Sequence, residues 1–238
     1  MNAIVKGLAL ACALAAAPLC AAQSTVKIAG LVELSGTGAV SGTNFNDGVK
    51  LAVKEINAAG GILGRKIEYT ASDTQSQASI SKALAQKAVD EGAYVVMGPV
   101  FSGSIMVSMA ETRRAEVTNF TGGEAAAITQ QGNPYIFRTS FTQAAAMPKV
   151  ARYLNDALHA KSVAIIFVNN DFGKGGSDSM VKALEPYGIK VVANISTDPG
   201  QVDFSGAVVK AKQANADALF VYSNEEESAR CLRELRKQ

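Results

Sequence analysis

The chain has one histidine, three cysteines and no tryptophan in 238 residues, and its 23 Lys and Arg are nearly matched by 21 Asp and Glu. Histidine is the side chain that most often moves protons or binds metals near neutral pH. A histidine-rich metal centre is therefore nearly excluded by count, as is a Ser-His-Asp triad, which would have to use this single histidine, and no catalytic residue, metal or cofactor is expected. The lone His159 falls at the C-terminal end of a predicted helix, where an imidazolium would meet exposed carbonyls, so a capping role is expected. A net charge of +2, with no like-charge run longer than Glu225, Glu226 and Glu227, leaves no basic surface for nucleic-acid phosphates. Those three glutamates head the last predicted helix and are read as favouring its positive end.

Long apolar runs are equally scarce. The stretch at residues 7–17 follows Lys6 and gives way to Pro18 and the small residues Cys20, Ala21 and Ala22. It is too short to span a membrane, and it has the layout of a secretory signal peptide with cleavage after Ala22. No later apolar run reaches the roughly 20 residues of a membrane span, so the mature protein is expected to be exported and soluble. A lipid anchor on Cys20 is the competing reading; Ala17, Pro18 and Leu19 make a poor lipoprotein signal before it. Removing residues 1–22 takes Cys12 and Cys20 along and leaves only Cys231. No internal disulfide can then form, and stability must come from core burial. Cys231 sits in a helical pattern and reads as a small buried side chain rather than a reactive thiol.

From Val26 onward, short apolar runs alternate with longer amphipathic stretches, as when crossover helices join parallel strands. Strands are expected at 26–34, 67–71, 94–97, 117–119 and 135–138. Helices fall between them, the first carrying Val49, Ala52, Val53 and Ile56 on one face, with a loop at 121–133. After an interruption at 139–143 the alternation restarts with helices at 144–158, 177–187 and 204–214, strands at 163–168, 189–195 and 218–222, and a last helix from about Glu226. Two doubly wound parallel-sheet lobes follow, at 23–140 and 141–238, each with its ligand edge at the strands' carboxyl ends. Only three strong strands fall in the second lobe, and the last helix lacks a closing glycine, so the chain reads as a fragment with an incomplete second lobe.

Three glycine-bearing turns carry the site candidates. Gly36, Gly38 and Gly42 follow the first strand and open a helix, which invites a dinucleotide reading. Their spacing is off by one residue, and Asp73 lies too far along to hold a ribose, so a turn lining a ligand cleft is the better reading. Ser102, Gly103 and Ser104 open the third helix, where unpaired amides, partial positive charge and hydroxyls suit a carboxylate; a plain serine cap is the alternative. Thr121, Gly122 and Gly123 follow the next strand and should open on the same sheet edge.

The residues 26–36, the run 48–68 ending in Gly-Gly-Ile-Leu-Gly-Arg-Lys-Ile-Glu, and Asp73 resemble the opening of the periplasmic substrate-binding proteins of branched-chain and hydrophobic amino acid ABC transporters. The resemblance continues through 98–104, Tyr135-Ile-Phe-Arg-Thr-Ser, Asn170-Asp-Phe-Gly-Lys-Gly, Asp203-Phe204 and Leu232-Arg-Glu-Leu. It implies two α/β lobes, joined by three strand crossings, that close over an amino acid or related small carboxylate or amide. By that resemblance Ser102 and its neighbouring amides hold the ligand carboxylate, and the 121–123 loop holds carboxylate and ammonium, although the loop is about two residues longer here. Ser41 stands where leucine-type binders can place an aromatic side chain. Phe172 and Asn224 match second-lobe contacts, while Ser76 and Phe101 replace the cysteines of a disulfide found in some relatives. The implied protein is a monomeric exported receptor that delivers a small amino acid, amide or aromatic carboxylate to an ABC transporter permease. The alternatives are a periplasmic sensor of the same fold and, from another class, a nucleotide-dependent oxidoreductase.

Overall fold

A computed structural model describes residues 25–238; the leader, its cleavage point, Cys12 and Cys20 lie outside the described residues. The first five strands, β1 (Val26–Val32), β2 (Ile67–Asp73), β3 (Val95–Met97), β4 (Thr118–Thr121) and β5 (Ile136–Arg138), form one sheet in the order β2-β1-β3-β4-β5. Every pairing in it is parallel. The connecting helices are α1 (Ala39–Ala58), α2 (Ala78–Asp90), α3 (Ser102–Arg114) and the short α4 (Ala127–Gln130). The second sheet sets β6 (Ser162–Val168) between β7 (Lys190–Thr197) and β8 (Ala218–Tyr222), again all parallel. Around it stand α5 (Gln143–Asp156), α6 (Asp171–Leu184) with a 3-10 turn at Glu185–Tyr187, α7 (Ser205–Gln213) and α8 (Glu225–Lys237). The chain passes from one sheet to the other between Arg138 and Gln143.

In both sheets the chain reverses direction across the sheet beside its first strand, β1 or β6. Loops leaving neighbouring strands there diverge and open a crevice. β6 reads Val-Ala-Ile-Ile-Phe-Val because both of its faces are covered. Val163 and Ile165 pack with Met147, Leu154, Met180 and Leu184 of α5 and α6, whereas Ala164 and Ile166 pack with Phe204, directly before α7, Val208 of α7 and Cys231 of α8. Each fully buried aliphatic or aromatic side chain stabilises the fold by about 1.5–3 kcal/mol. Cys231 is wholly buried, and burial pushes its thiol up to about 11, so it stays protonated and packs as a small apolar group.

Four local expectations change. Helix α6 starts at Asp171 instead of residue 177, because Gly173 and Gly176 dilute its helical signal. Both are needed for close packing: a Cβ would fall 1.8 Å from the Val168 carbonyl at Gly173 and 1.9 Å from the Tyr222 ring at Gly176. The 121–133 loop contains α4, whose Ile128 is buried with Ile105, Met109 and Ile136. Helix α1 buries only Gly42 and Asn46; Val49 and Val53 are half-buried, and Ala52 and Ile56 are exposed. His159 is exposed and sits in the left-handed region (φ 51), where the chain turns back so that the Ala160 N–H donates to the Leu154 carbonyl at 3.0 Å. The cap is thus made by backbone geometry and not by the imidazole.

Candidate functional site

The loops at the carboxyl ends of the two sheets enclose a cleft of about 530 Å³. From the first sheet it is lined by Ser41 on α1, Ser76 and Ala78 at the head of α2, the run 100–104 entering α3, and Gly122 and Glu124 after β4. From the second come Asn170 and Phe172 at the head of α6, Pro199, and Ser223, Asn224, Glu225 and Ser228 around the head of α8. Heads of several helices therefore face one space, and their first turns bring partial positive charge to it.

Glu33, at the end of β1, sets the first wall. It is fully buried, and its two carboxylate oxygens accept the consecutive amides of Val100 and Phe101, each at 3.0 Å. Burial raises its pKa, and those backbone bonds only partly offset the rise. The glycine turn closes over it: a Cβ on Gly42 would lie 2.0 Å from the Glu33 carbonyl oxygen, so only glycine lets α1 start this close. Asp73, at the end of β2, accepts the amides of Leu34 (2.9 Å), Ser35 (3.1 Å) and Gln75 (2.8 Å) and the Ser35 hydroxyl (2.6 Å). Burial alone would raise its pKa, but these bonds, led by the Ser35 hydroxyl, hold the carboxyl below its usual range. Asp73 is thus a clasp on the turn after β1, which also explains its distance from any ribose role. The Ser76 hydroxyl accepts from the Gly38 amide (3.0 Å) and donates to the Ser35 carbonyl (2.7 Å), completing that turn.

Seven of the nine residues singled out from the sequence, Ser41, Ser102, Gly103, Ser104, Gly122, Phe172 and Asn224, line this one cleft; Thr121 and Gly123 do not. The Thr121 side chain turns inward and donates to the Pro99 carbonyl at 2.7 Å. Gly123 is buried, with no room for a Cβ beside Ile105, Ile128 and the Ser102 hydroxyl, and its carbonyl accepts from Arg138 and Ser140. Both therefore shape the loop from behind the residues that line the cleft. Ser102 is buried, and its Oγ accepts from the Ala125 amide at 3.3 Å, which ties α3 to the same loop.

The second wall is braced by Tyr222, Gln143 and Glu124, which sequence reasoning passed over. Phe172 stacks on Tyr222 with ring centroids 4.4 Å apart. The Tyr222 hydroxyl donates to Glu124 Oε2 at 2.8 Å and accepts from Gln143 Nε2 at 3.2 Å; the same amide donates to the Phe172 carbonyl at 2.7 Å. Burial raises the Tyr222 pKa, with Glu124 adding to it, so the phenol stays protonated. Burial also raises the pKa of Glu124, the Tyr222 bond and Arg138 oppose the shift, and Glu225 reinforces it. Asn170 caps α6, accepting from the Gly173 amide at 2.9 Å. Asn224 caps α8 in a reciprocal box with the buried Glu227, which also accepts from the Gly200 amide at 2.6 Å. The signals present in the sequence were an acid inside an apolar strand at Glu33 and an acid directly after a glycine pair at Glu124.

Three chemical facts stand out. The walls offer amides and hydroxyls suited to a small polar ligand, the lining holds no histidine or cysteine, and the site is shared by both halves. Among the described residues no helix is long and apolar enough to cross a membrane.

The profile of a family described as periplasmic binding protein matches residues 25–238. The Leu/Ile/Val-binding protein BraC3 of Rhizobium johnstonii is 31% identical over 212 residues, covering 89% of this chain and 57% of that relative. The chain thus spans less than two thirds of the relative's length. The branched-chain amino acid transporter substrate-binding protein LivJ of Streptococcus pneumoniae, solved with isoleucine, superposes with a TM-score of 0.83 at 29% identity, over 90% of this chain and 61% of that one. A solute-binding protein from R. palustris, solved with 4-hydroxybenzoate, gives 0.76 at 26% identity over 83% and 54%.

Proposed function

The chain belongs to the periplasmic binding protein family, and from that premise we propose that it is the ligand-capturing part of an exported solute receptor that takes up a small amino acid or related carboxylate or amide between two lobes, 23–140 and 141–238. It works in the periplasm, makes and breaks no bonds, and hands its ligand to an ABC transporter permease. The relative named for leucine, isoleucine and valine and the neighbour holding isoleucine support the amino acid class, and the neighbour holding 4-hydroxybenzoate keeps aromatic carboxylates in the test.

The observation that carries this reading is the cleft itself: the head of α3 on one side and the heads of α6 and α8 on the other line a single space. A ligand carboxylate docks on the α3 head, where Ser102, Gly103 and Ser104 bring hydroxyls and free amides together. Gly122 keeps the adjacent wall low, and Thr121 and Gly123 hold that wall's shape. Phe172 and Asn224 approach from the opposite lobe and reach the ligand only when the lobes are together, so binding shifts the population toward the closed form. Ser41 lies at the rim and leaves space for the ligand's side chain.

A thermal-shift screen of the purified chain against amino acids, amides and aromatic carboxylates tests this, because a ligand that binds only the folded state raises Tm. At least one class should stabilise the chain. Ser102→Ala should then weaken that binding by about 1–3 kcal/mol in calorimetry, the cost of depriving a buried charge of a hydrogen bond. Unchanged affinity would remove Ser102 from the site.

A further inference from the structure

Gln143 opens α5, at the point where the chain enters the second half after the crossing at 139–142. It is wholly buried and lies behind the residues that line the cleft. Its bonds run to both halves. The backbone N–H donates to the carbonyl of Glu124, in the loop after β4, at 3.2 Å. The side-chain amide donates to the Phe172 carbonyl at 2.7 Å and to the Tyr222 hydroxyl at 3.2 Å. Tyr222 in turn donates to Glu124 Oε2 at 2.8 Å, so Glu124, Gln143 and Tyr222 close a ring of hydrogen bonds across the two halves. The ring has one polarity. A carbonyl can only accept, so Nε2 must face Phe172, and the Tyr222 hydroxyl, which takes a bond from the same nitrogen, keeps its proton for the carboxylate.

The other end of that amide goes unsatisfied. Gln143 Oε1 is buried with no hydrogen-bond partner among the described residues, an arrangement that persists only where the bonds made by Nε2 outweigh it. Oε1 lies against α6 at Gly175, where a Cβ would fall 2.7 Å from it. Three glycines near the head of α6 thus admit three neighbours: Gly173 the Val168 carbonyl, Gly176 the Tyr222 ring and Gly175 the Gln143 amide.

We propose that Gln143 is a positioning residue for ligand capture: held by Glu124 of the first half, it fixes the Phe172–Tyr222 pair of the second, so that Phe172 presents its ring to the cleft only while the crossing holds this geometry. This rests on the receptor reading above and adds to it a residue that acts without lining the cleft. Gln143 works through Phe172, and its loss should be felt only where Phe172 is present.

A double-mutant cycle tests the assignment, with isoleucine and 4-hydroxybenzoate as calorimetric probes of the wild-type chain, Gln143→Met, Phe172→Ala and the double variant. Gln143→Met should weaken a probe that binds by about tenfold, the scale of the hydrogen bonds removed. In the Phe172→Ala background the same change should cost no more than about twofold, because the two residues act as one unit. Equal losses in both backgrounds overturn the proposal. Gly175→Ala leaves Gln143 in the chain but crowds its amide, and alanine favours helix over glycine, so this variant separates a loss of binding from a loss of fold. It should weaken the same probe, and it takes the place of Gln143→Met in the cycle should that variant lack a cooperative melt. Undiminished affinity in Gly175→Ala and Gln143→Met overturns the proposal. A readout without ligand comes from near-ultraviolet circular dichroism, since the chain has six tyrosines and no tryptophan and Tyr222 is stacked on Phe172. Gln143→Met should change the tyrosine band as Phe172→Ala does, with no further change in the double variant; an unaltered band overturns the proposal. Failure of every amino acid, amide and carboxylate to bind overturns the receptor reading, and the tyrosine band then decides separately whether Gln143 places Phe172.

Discussion

Glu33 shows how much one side chain can organise. A buried carboxylate is costly unless its lone pairs are used, and here they fix two successive amides directly before the head of α3. Glutamine has nearly the same shape but only one accepting oxygen, so Glu33→Gln would set its amide nitrogen against an N–H. We expect a loss of about 1–3 kcal/mol in urea denaturation, the usual cost of an unsatisfied buried donor; full stability in the variant would mean that the loop does not depend on the carboxylate. Composition could not reveal this role, because an acid in an apolar run looks the same whether it is exposed at a strand end or buried beneath a turn. The same holds for Thr121. Its place after a strand was legible, but which way its hydroxyl turns depends on the Pro99 carbonyl of a neighbouring strand's loop.

At the scale of elements, the strand and helix alternation was readable throughout, and most plainly at β6, which carries its burial in an apolar run. What blurred was the start of helices at the ligand edge. In α6 the residues that begin the helix are those that must be small for Val168 and Tyr222 to approach, so packing overrides propensity. Capping supplies what the glycines take away. Asn170→Ala removes the acceptor for the Gly173 amide and should cost about 1 kcal/mol, read as a lower denaturation midpoint at unchanged slope. An unaltered midpoint would show that the α6 head is held by packing alone. Helix α4 escaped sequence reading because its four residues are too few to show a period.

Across the whole molecule, the least legible feature was the juxtaposition of the two halves. Tyr222 and Glu124 lie 98 residues apart in sequence, and Ser41 and Glu225 lie 184 apart, yet each pair shares a hydrogen bond. No local pattern encodes such pairs; they follow from where two separate sheets point their loops. Both bonds come from neutral hydroxyls facing carboxylates, so both can be broken without leaving a charge of new sign. In the double variant Ser41→Ala with Tyr222→Phe, small-angle scattering of the ligand-free chain should show a larger radius of gyration than in the wild type. Saturating ligand should reverse the change, because closure then rests on ligand contacts. An unchanged radius would mean that these hydroxyls do not hold the halves together.

The cleft groups all sit beyond the carboxyl ends of strands whose apolar residues are buried between sheet and helix, away from any solute. Evolution can therefore rewrite what is recognised by editing a handful of edge positions while leaving the buried faces of the strands alone.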